Sequence, residues 1–271
     1  MKPAKFIPFA LLASLVLANS AFAQTAAPAL DVAPAAEATP PLTFNISLTS
    51  NYKFRGQDQY TSKTRAFKPA LNGGFDYAFS NGFYVGNWNS TIDWSKNGLP
   101  SGDNSSVEVD VYGGYKFKAG EVDMDVGALQ YYYPGATGAN TTELYVAGTY
   151  GPLTAKYSGT VSKGYFGIGK EYLLGEGRGT GYFNLAYAQE MAPKTTFKAA
   201  MGYTSYKSNV KNAGIPNYVD YSVGAAYDLG DGFTLNGAVQ GGNKKASYPY
   251  AIDPSKSINR ATLVVTVTKA L

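Results

Sequence analysis

The 271-residue sequence predicts an all-β fold, a transmembrane antiparallel up-and-down β-barrel of about 12 strands. Three observations lead there: one long alternating segment, its recurrence to the C-terminus, and the absence of any later run suited to a spanning helix. The segment is Thr43 to Gly56. Phe44, Ile46, Leu48, Tyr52 and Phe54 fall on even positions, and Thr43, Asn45, Ser47, Thr49, Asn51, Lys53 and Arg55 on odd ones. Period-two alternation over about 13 residues describes a strand with one apolar and one polar face. A tilted strand needs roughly 9–11 residues to cross the hydrocarbon core. Besides the helix, a closed barrel is the only fold that satisfies every backbone group inside a bilayer.

The elements follow in chain order. Lys2 and Lys5 precede an apolar run from Phe6 to Ala18, and Ala21-Phe22-Ala23 stands before Gln24. This is the pattern of a cleaved signal peptide over 1–23, too short and without the flanks of a membrane anchor. Residues 24–41 are rich in Ala and Pro and poor in aromatics, as expected of a disordered periplasmic tail. Residues 42–271 remain for one β domain. Without the leader, 21 basic residues stand against 19 acidic ones, which gives no basis for nucleic-acid binding. An exported chain without cysteine relies on sheet closure, not on disulfides.

Strands are expected near 43–56, 65–79, 83–94, 106–118, 121–133, 142–150, 153–162, 180–189, 195–207, 217–229, 232–242 and 259–271. Short turns at Ser80-Asn81-Gly82, Ala119-Gly120, Gly151-Pro152, Glu190 to Lys194 and Gly230-Asp231 alternate with longer, polar, Gly-rich links. An even strand count with short periplasmic turns and long external loops is the organisation of bacterial outer-membrane barrels. A turn at Ala119-Gly120 would pair Lys118 with Glu121, Lys116 with Asp123 and Tyr115 with Met124. A soluble β-sandwich also alternates, but its apolar residues face inward and its exposed face carries more charge. The 23 Tyr and 14 Phe decide for the membrane. Phe79, Phe83, Tyr84, Tyr115, Phe117 and Tyr150 lie near the turns. Trp94, Tyr131, Tyr132, Tyr133, Tyr203, Tyr206 and Tyr218 lie near the loops, so two aromatic girdles are expected.

Several stretches resemble the TorF family of porins from Gram-negative bacteria. They are Ser50-Asn51-Tyr52-Lys53-Phe54-Arg55-Gly56, Gly82-Phe83-Tyr84-Val85-Gly86-Asn87-Trp88-Asn89-Ser90, Val111-Tyr112-Gly113-Gly114-Tyr115, Tyr131-Tyr132-Tyr133-Pro134-Gly135 and Glu143-Leu144-Tyr145. The resemblance covers roughly residues 45–150 and implies a porin-like barrel of the outer membrane, with no catalytic residues to carry over. One departure is the last residue, Leu271, where such barrels usually end in an aromatic.

The chain has no histidine and no cysteine, which removes the Ser-His dyad, the thiolate nucleophile and the imidazole metal ligand. No enzyme, cofactor or metal site is expected. Glu108 with Asp110, and Asp123 with Asp125, would face one side about 7 Å apart, which fits lumen carboxylates paired with lysines better than an acid–base pair. Gly167-Ile168-Gly169-Lys170 lacks phosphate-loop spacing, and Asp228 to Gly232 fits a tight turn better than a calcium loop. Gly73-Gly74 and Gly113-Gly114 mark curvature or room for large inward neighbours.

The alternation points Lys53, Arg55, Lys68, Asp76, Glu108, Asp110, Lys116, Asp123, Asp125, Lys156, Lys198, Asp220 and Asp228 into the lumen. Burying such charges unpaired and dry costs several kcal/mol each, so a narrow hydrated lumen is expected. Basic residues early in the chain and acidic ones on the fourth and fifth strands would set a transverse field; local cross-strand ion pairs are the plainer reading. The expectation is a channel for passive diffusion of ions or small hydrophilic solutes, with outer-membrane lipid, lipopolysaccharide and the assembly machinery as partners. Lys163, Lys170, Lys244, Lys245 and Lys256 are the loop cations that could meet lipopolysaccharide. A plugged structural or adhesive barrel and, third, a lipid-modifying barrel are the alternatives.

Overall fold

The computed structural model describes residues 41–99, 103–168 and 176–271. The expected signal peptide, nearly all of the tail, Gly169 and Lys170 lie outside the described residues. Twelve strands close into one barrel: Leu42–Thr49 (β1), Ala70–Ala78 (β2), Phe83–Thr91 (β3), Val107–Ala119 (β4), Val122–Tyr132 (β5), Thr141–Tyr150 (β6), Leu153–Thr160 (β7), Gly181–Ala192 (β8), Thr195–Ser205 (β9), Tyr218–Gly230 (β10), Phe233–Gly242 (β11) and Thr262–Ala270 (β12). Each strand pairs antiparallel with the next. β12 returns to β1 through Asn45↔Ala270 to Thr49↔Thr266, which removes both sheet edges. No described helix is long and apolar enough to cross a membrane.

Alternation sorts the wall as the sequence predicts. In β1, Phe44, Ile46 and Leu48 point outward and are exposed, while Ser47 and Thr49 point inward and are buried. Ser47 Oγ meets Thr268 Oγ1 at 2.8 Å, and Thr266 donates to Thr49 at 2.8 Å, so the inner seam is a hydroxyl ladder. Leu263, Val265 and Val267 of β12 and Val223 and Val239 of β10 and β11 continue the exposed apolar belt. A belt of this extent on a protein surface is the face that lipid covers. The sandwich is therefore excluded, because the apolar side of the sheet lies outside.

Three local expectations need correction. The first strand does not run to residue 56. It ends at Thr49, and a second hairpin, Lys53–Phe54 paired with Gln57–Asp58, turns inward. Tyr52 and Phe54 continue the even parity of the lipid face yet are buried inside, because the chain has left the wall. The β4–β5 turn is Gly120-Glu121, closed by Ala119↔Val122, so Lys118 pairs with Asp123, Lys116 with Asp125 and Tyr115 with Val126. Gly120 at φ 66° takes the first turn position, which favours glycine. The slip is two residues, so each side chain keeps its face.

The aromatic bands are also redistributed. Phe79, Phe83, Tyr115, Phe117 and Tyr150 are exposed near the short turns, as expected of a girdle. Tyr84 is buried, its hydroxyl donating to Asp125 at 2.7 Å, since its parity opposes that of Phe83. Near the loops only Tyr132 and Tyr203 are exposed. Tyr131, Tyr133, Tyr206 and Tyr218 are buried, and Trp94 packs edge-on against Tyr133. They cap the long-loop end of the barrel from within.

Candidate functional site

Chain direction creates the site. Ser50 follows the last residue of β1, and its carbonyl accepts from Lys68 N at 2.8 Å, so residues 51–67 form a closed excursion. Its tip is the two-residue turn Arg55-Gly56, with φ of 47° and 77°. Both are left-handed, as a tight hairpin turn requires. Only glycine fits at 56. A Cβ there would lie 2.5 Å from the Gly241 carbonyl oxygen and 2.7 Å from Asp220 Cβ. The tip thus seats against β10 and β11, and Tyr218 donates to the Arg55 carbonyl at 3.1 Å.

Two ion-pair centres hold the excursion. Asp58 is the first. Lys53 Nζ lies 2.9 Å from its Oδ1, Lys68 Nζ 2.9 Å from Oδ2 and Arg260 Nε 3.4 Å from Oδ2. Asn51 Nδ2 donates to Oδ1 at 2.8 Å, and the Tyr250 hydroxyl donates to Oδ2. Burial pushes this carboxyl up; Lys53 and then Lys68 outweigh it and hold it below the usual carboxylate range. Lys53 is driven the other way by burial, down to about 8, against the pull of Asp58. The second centre is Arg55, whose Nη2 lies 2.7 Å from Glu143 Oε2 on β6. Its Nη1 donates to the Tyr165 hydroxyl at 3.1 Å. The guanidinium carbon lies 4.1 Å from the ring centre of Tyr182 and 4.8 Å from that of Phe54.

The acidic wall meets the same excursion. Glu108 accepts from Tyr52 at 2.5 Å and from Tyr133 at 2.6 Å. Asp110 is buried beside them, and among the described residues its Oδ1 has no hydrogen-bond partner. Lys198 and Asp220 are buried on the inner faces of β9 and β10, and Tyr182 donates to Asp220 at 3.1 Å. Towards the short turns Asp76, Lys116, Asp125 and Lys156 keep intermediate exposure, with Tyr112 donating to Asp76 at 2.7 Å. Tyr84 lies over Gly114, where a Cβ would come 2.5 Å from its hydroxyl, so that glycine does make room for a large inward neighbour.

Of the sequence-predicted lumen residues, Lys53, Arg55, Lys68, Glu108, Asp110, Lys198 and Asp220 are buried inside the barrel. Asp123 sits near the short-turn rim in an exposed pair with Lys118 at 2.7 Å. Asp228 keeps the inward parity of Asp220, Ser222 and Ala226 but lies at the exposed short-turn rim, where it accepts from Gly230 N at 2.8 Å and braces the β10–β11 turn. The basic set is paired with Asp58 and Glu143, so local ion pairs, not two facing unpaired arcs, describe the interior. Lys163, Lys244, Lys245 and Lys256 are exposed in the loops, Lys256 in a surface pair with Asp253 at 3.3 Å. Asp58, Tyr165, Tyr182 and Arg260 were not singled out from the sequence, and Glu143 only within the stretches that resemble the TorF family. Glu143 was within reach, since Thr141 and Glu143 share the inward parity of β6 while Leu144 and Val146 point out. Among the described residues no group of three acidic side chains is placed to hold a metal ion.

A family described as "Bacterial protein of unknown function (Gcw_chp)" matches residues 35–271. No curated protein matches the sequence. Among solved structures, the chain is similar to the NanC porin, with a TM-score of 0.50, 11% identity and coverage of 84% of this chain and 98% of that one. It is also similar to the KdgM porin, with a TM-score of 0.49, 9% identity and coverage of 84% and 97%. Likeness to the NanC porin at this identity speaks for a shared barrel fold alone.

Proposed function

The chain belongs to the Gcw_chp family of bacterial proteins of unknown function, and from that premise we propose that it is an outer-membrane channel for ions or small hydrophilic solutes. One observation carries the reading: a closed barrel wears its apolar side outward and gathers charged side chains inside. A merely structural barrel has no need to bury that many ionisable groups, each of which is costly unless paired or hydrated. The TorF-like stretches agree, since they cover the inward excursion and the strands facing it. Passage is by diffusion, with size exclusion where residues 51–58 cross the lumen and electrostatic filtering by Asp76, Lys116, Asp125 and Lys156 on the short-turn side. The chain performs no chemistry on its solute. Its partners are outer-membrane lipid, lipopolysaccharide at the exposed loop lysines, and the machinery that inserts barrels.

A second reading has one observation in its favour. The excursion is docked by two buried ion-pair centres, which fits a plugged barrel acting through its loops. Single-channel recording of refolded mature protein in a planar bilayer under a salt gradient separates the two. Discrete steps support the channel. A silent bilayer, from protein whose heat-modifiable gel mobility reports a folded barrel, supports the plug.

A further inference from the structure

The residue at the tip of the excursion is an unusual choice. Left-handed turn positions favour Gly, Asn or Asp, yet an arginine stands at φ 47°. Its side chain accounts for it. The guanidinium sits in a cage of one carboxylate and several rings: Glu143 at 2.7 Å, the Tyr165 hydroxyl at 3.1 Å, the Tyr182 ring at 4.1 Å and the Phe166 ring at 6.0 Å. An aromatic box closed by a carboxylate is the chemistry that binds organic cations.

Phe54, whose ring centre lies 4.8 Å from the guanidinium carbon, is a further wall and travels with the excursion. Glu143 and Tyr182 belong to β6 and β8, and Tyr165 and Phe166 to the link between β7 and β8. The cage is also braced without Arg55. Tyr131 donates to Glu143 at 3.4 Å, Tyr182 to Asp220 at 3.1 Å, and Phe166 packs edge-on to Tyr131 at 4.8 Å. Arg55 offers the cage its terminal nitrogens, while its Nε makes no hydrogen bond among the described residues. What the cage recognises is therefore the planar cationic end, separable from the chain that delivers it. Asp220 Oδ2, buried beside the Tyr182 wall and without a hydrogen-bond partner among the described residues, adds a further acceptor.

We propose that this cage is a binding site for small solutes bearing a guanidinium or amidinium group, and that Arg55 occupies it as an internal surrogate. A solute that takes the cage displaces the tip from β10 and β11 and widens the passage. The widening rests on the channel reading; the binding does not.

The test is calorimetry on the refolded, full mature barrel in detergent, with methylguanidinium as probe and urea as its neutral planar counterpart. Arg55→Ala binds methylguanidinium saturably and at least tenfold more tightly than the wild type, ignores urea, and loses binding when Glu143→Gln is added. Arg55→Gly, which relaxes the left-handed turn while emptying the cage, gives the same result. If Arg55→Ala refolds poorly, methylguanidinium and not urea raises its refolded yield. No saturable binding in folded Arg55→Ala or Arg55→Gly overturns the proposal, and so does equal binding in the Glu143→Gln double variant. Conductance is read separately. A barrel that binds but never conducts keeps the cage and loses the channel; one that conducts but never binds does the reverse.

Discussion

Arg55 and Glu143 stand 88 residues apart in sequence and 2.7 Å apart in space, and their ion pair bolts the inward excursion to β6, five strands round the wall from β1. Both partners are almost wholly buried. Removing one partner of a buried pair costs about 3–5 kcal/mol, because the other is left as an unpaired charge in a poorly solvated place. Glu143→Gln therefore releases the tip instead of merely loosening it. Single-channel conductance rises in the variant, while gel mobility reports an intact barrel. Unchanged conductance in an intact barrel would show that the pair does not hold the passage narrow.

The seat of the tip is tested by shape alone. Gly56→Ala places a Cβ where the Gly241 carbonyl oxygen and Asp220 Cβ already stand, at a φ of 77° that side chains rarely adopt. The variant undocks the excursion without altering any charge. Trypsin then cuts faster at Lys63 or Arg65 than in the wild type, as read by mass spectrometry.

Acid should act through Asp58. With its carboxyl held below the usual range by Lys53 and Lys68, it favours docking at any pH above the free value of about 3.9. That contribution is lost only as pH falls through the lower, docked value. Conductance thus stays level from pH 7 down to about 5 and rises only in stronger acid, below about 4. A rise centred near pH 6 would point to a different group.

The outer face makes an independent prediction. Val223 points outward in the middle of β10, between Ala199 and Val239. Val223→Arg destabilises the barrel in liposomes by about 2–4 kcal/mol if that position lies near the bilayer midplane. Urea titration of folding in lipid measures it, and no loss of stability would place the apolar belt away from lipid.

The wall was legible because one rule, alternation, is enforced along every strand by two immiscible environments. Leu48 outward and Thr49 inward follow from parity alone. The excursion was not legible for the same reason. Tyr52, Lys53, Phe54 and Arg55 keep the alternation going after the chain has left the wall, where all four are buried together. The signal that breaks the tie is Arg55-Gly56 followed by Gln57-Asp58, a hairpin turn read as the end of a strand. Asp58 and Arg260 lie in connections, where no periodicity marks which side chain returns to the lumen. Tyr131 and Tyr133 were assigned to a girdle by their proximity to a strand end, although their parity with Leu129 already pointed inward.

The most direct test of the central claim, a conducting barrel narrowed by its own excursion, is a paired planar-bilayer recording. The refolded wild type is compared with a barrel whose residues 52–59 are replaced by a Gly/Ser segment of equal length. Discrete steps in both, larger in the replacement, are the predicted result. Silence in both, from barrels whose gel mobility shows them folded, would contradict the claim.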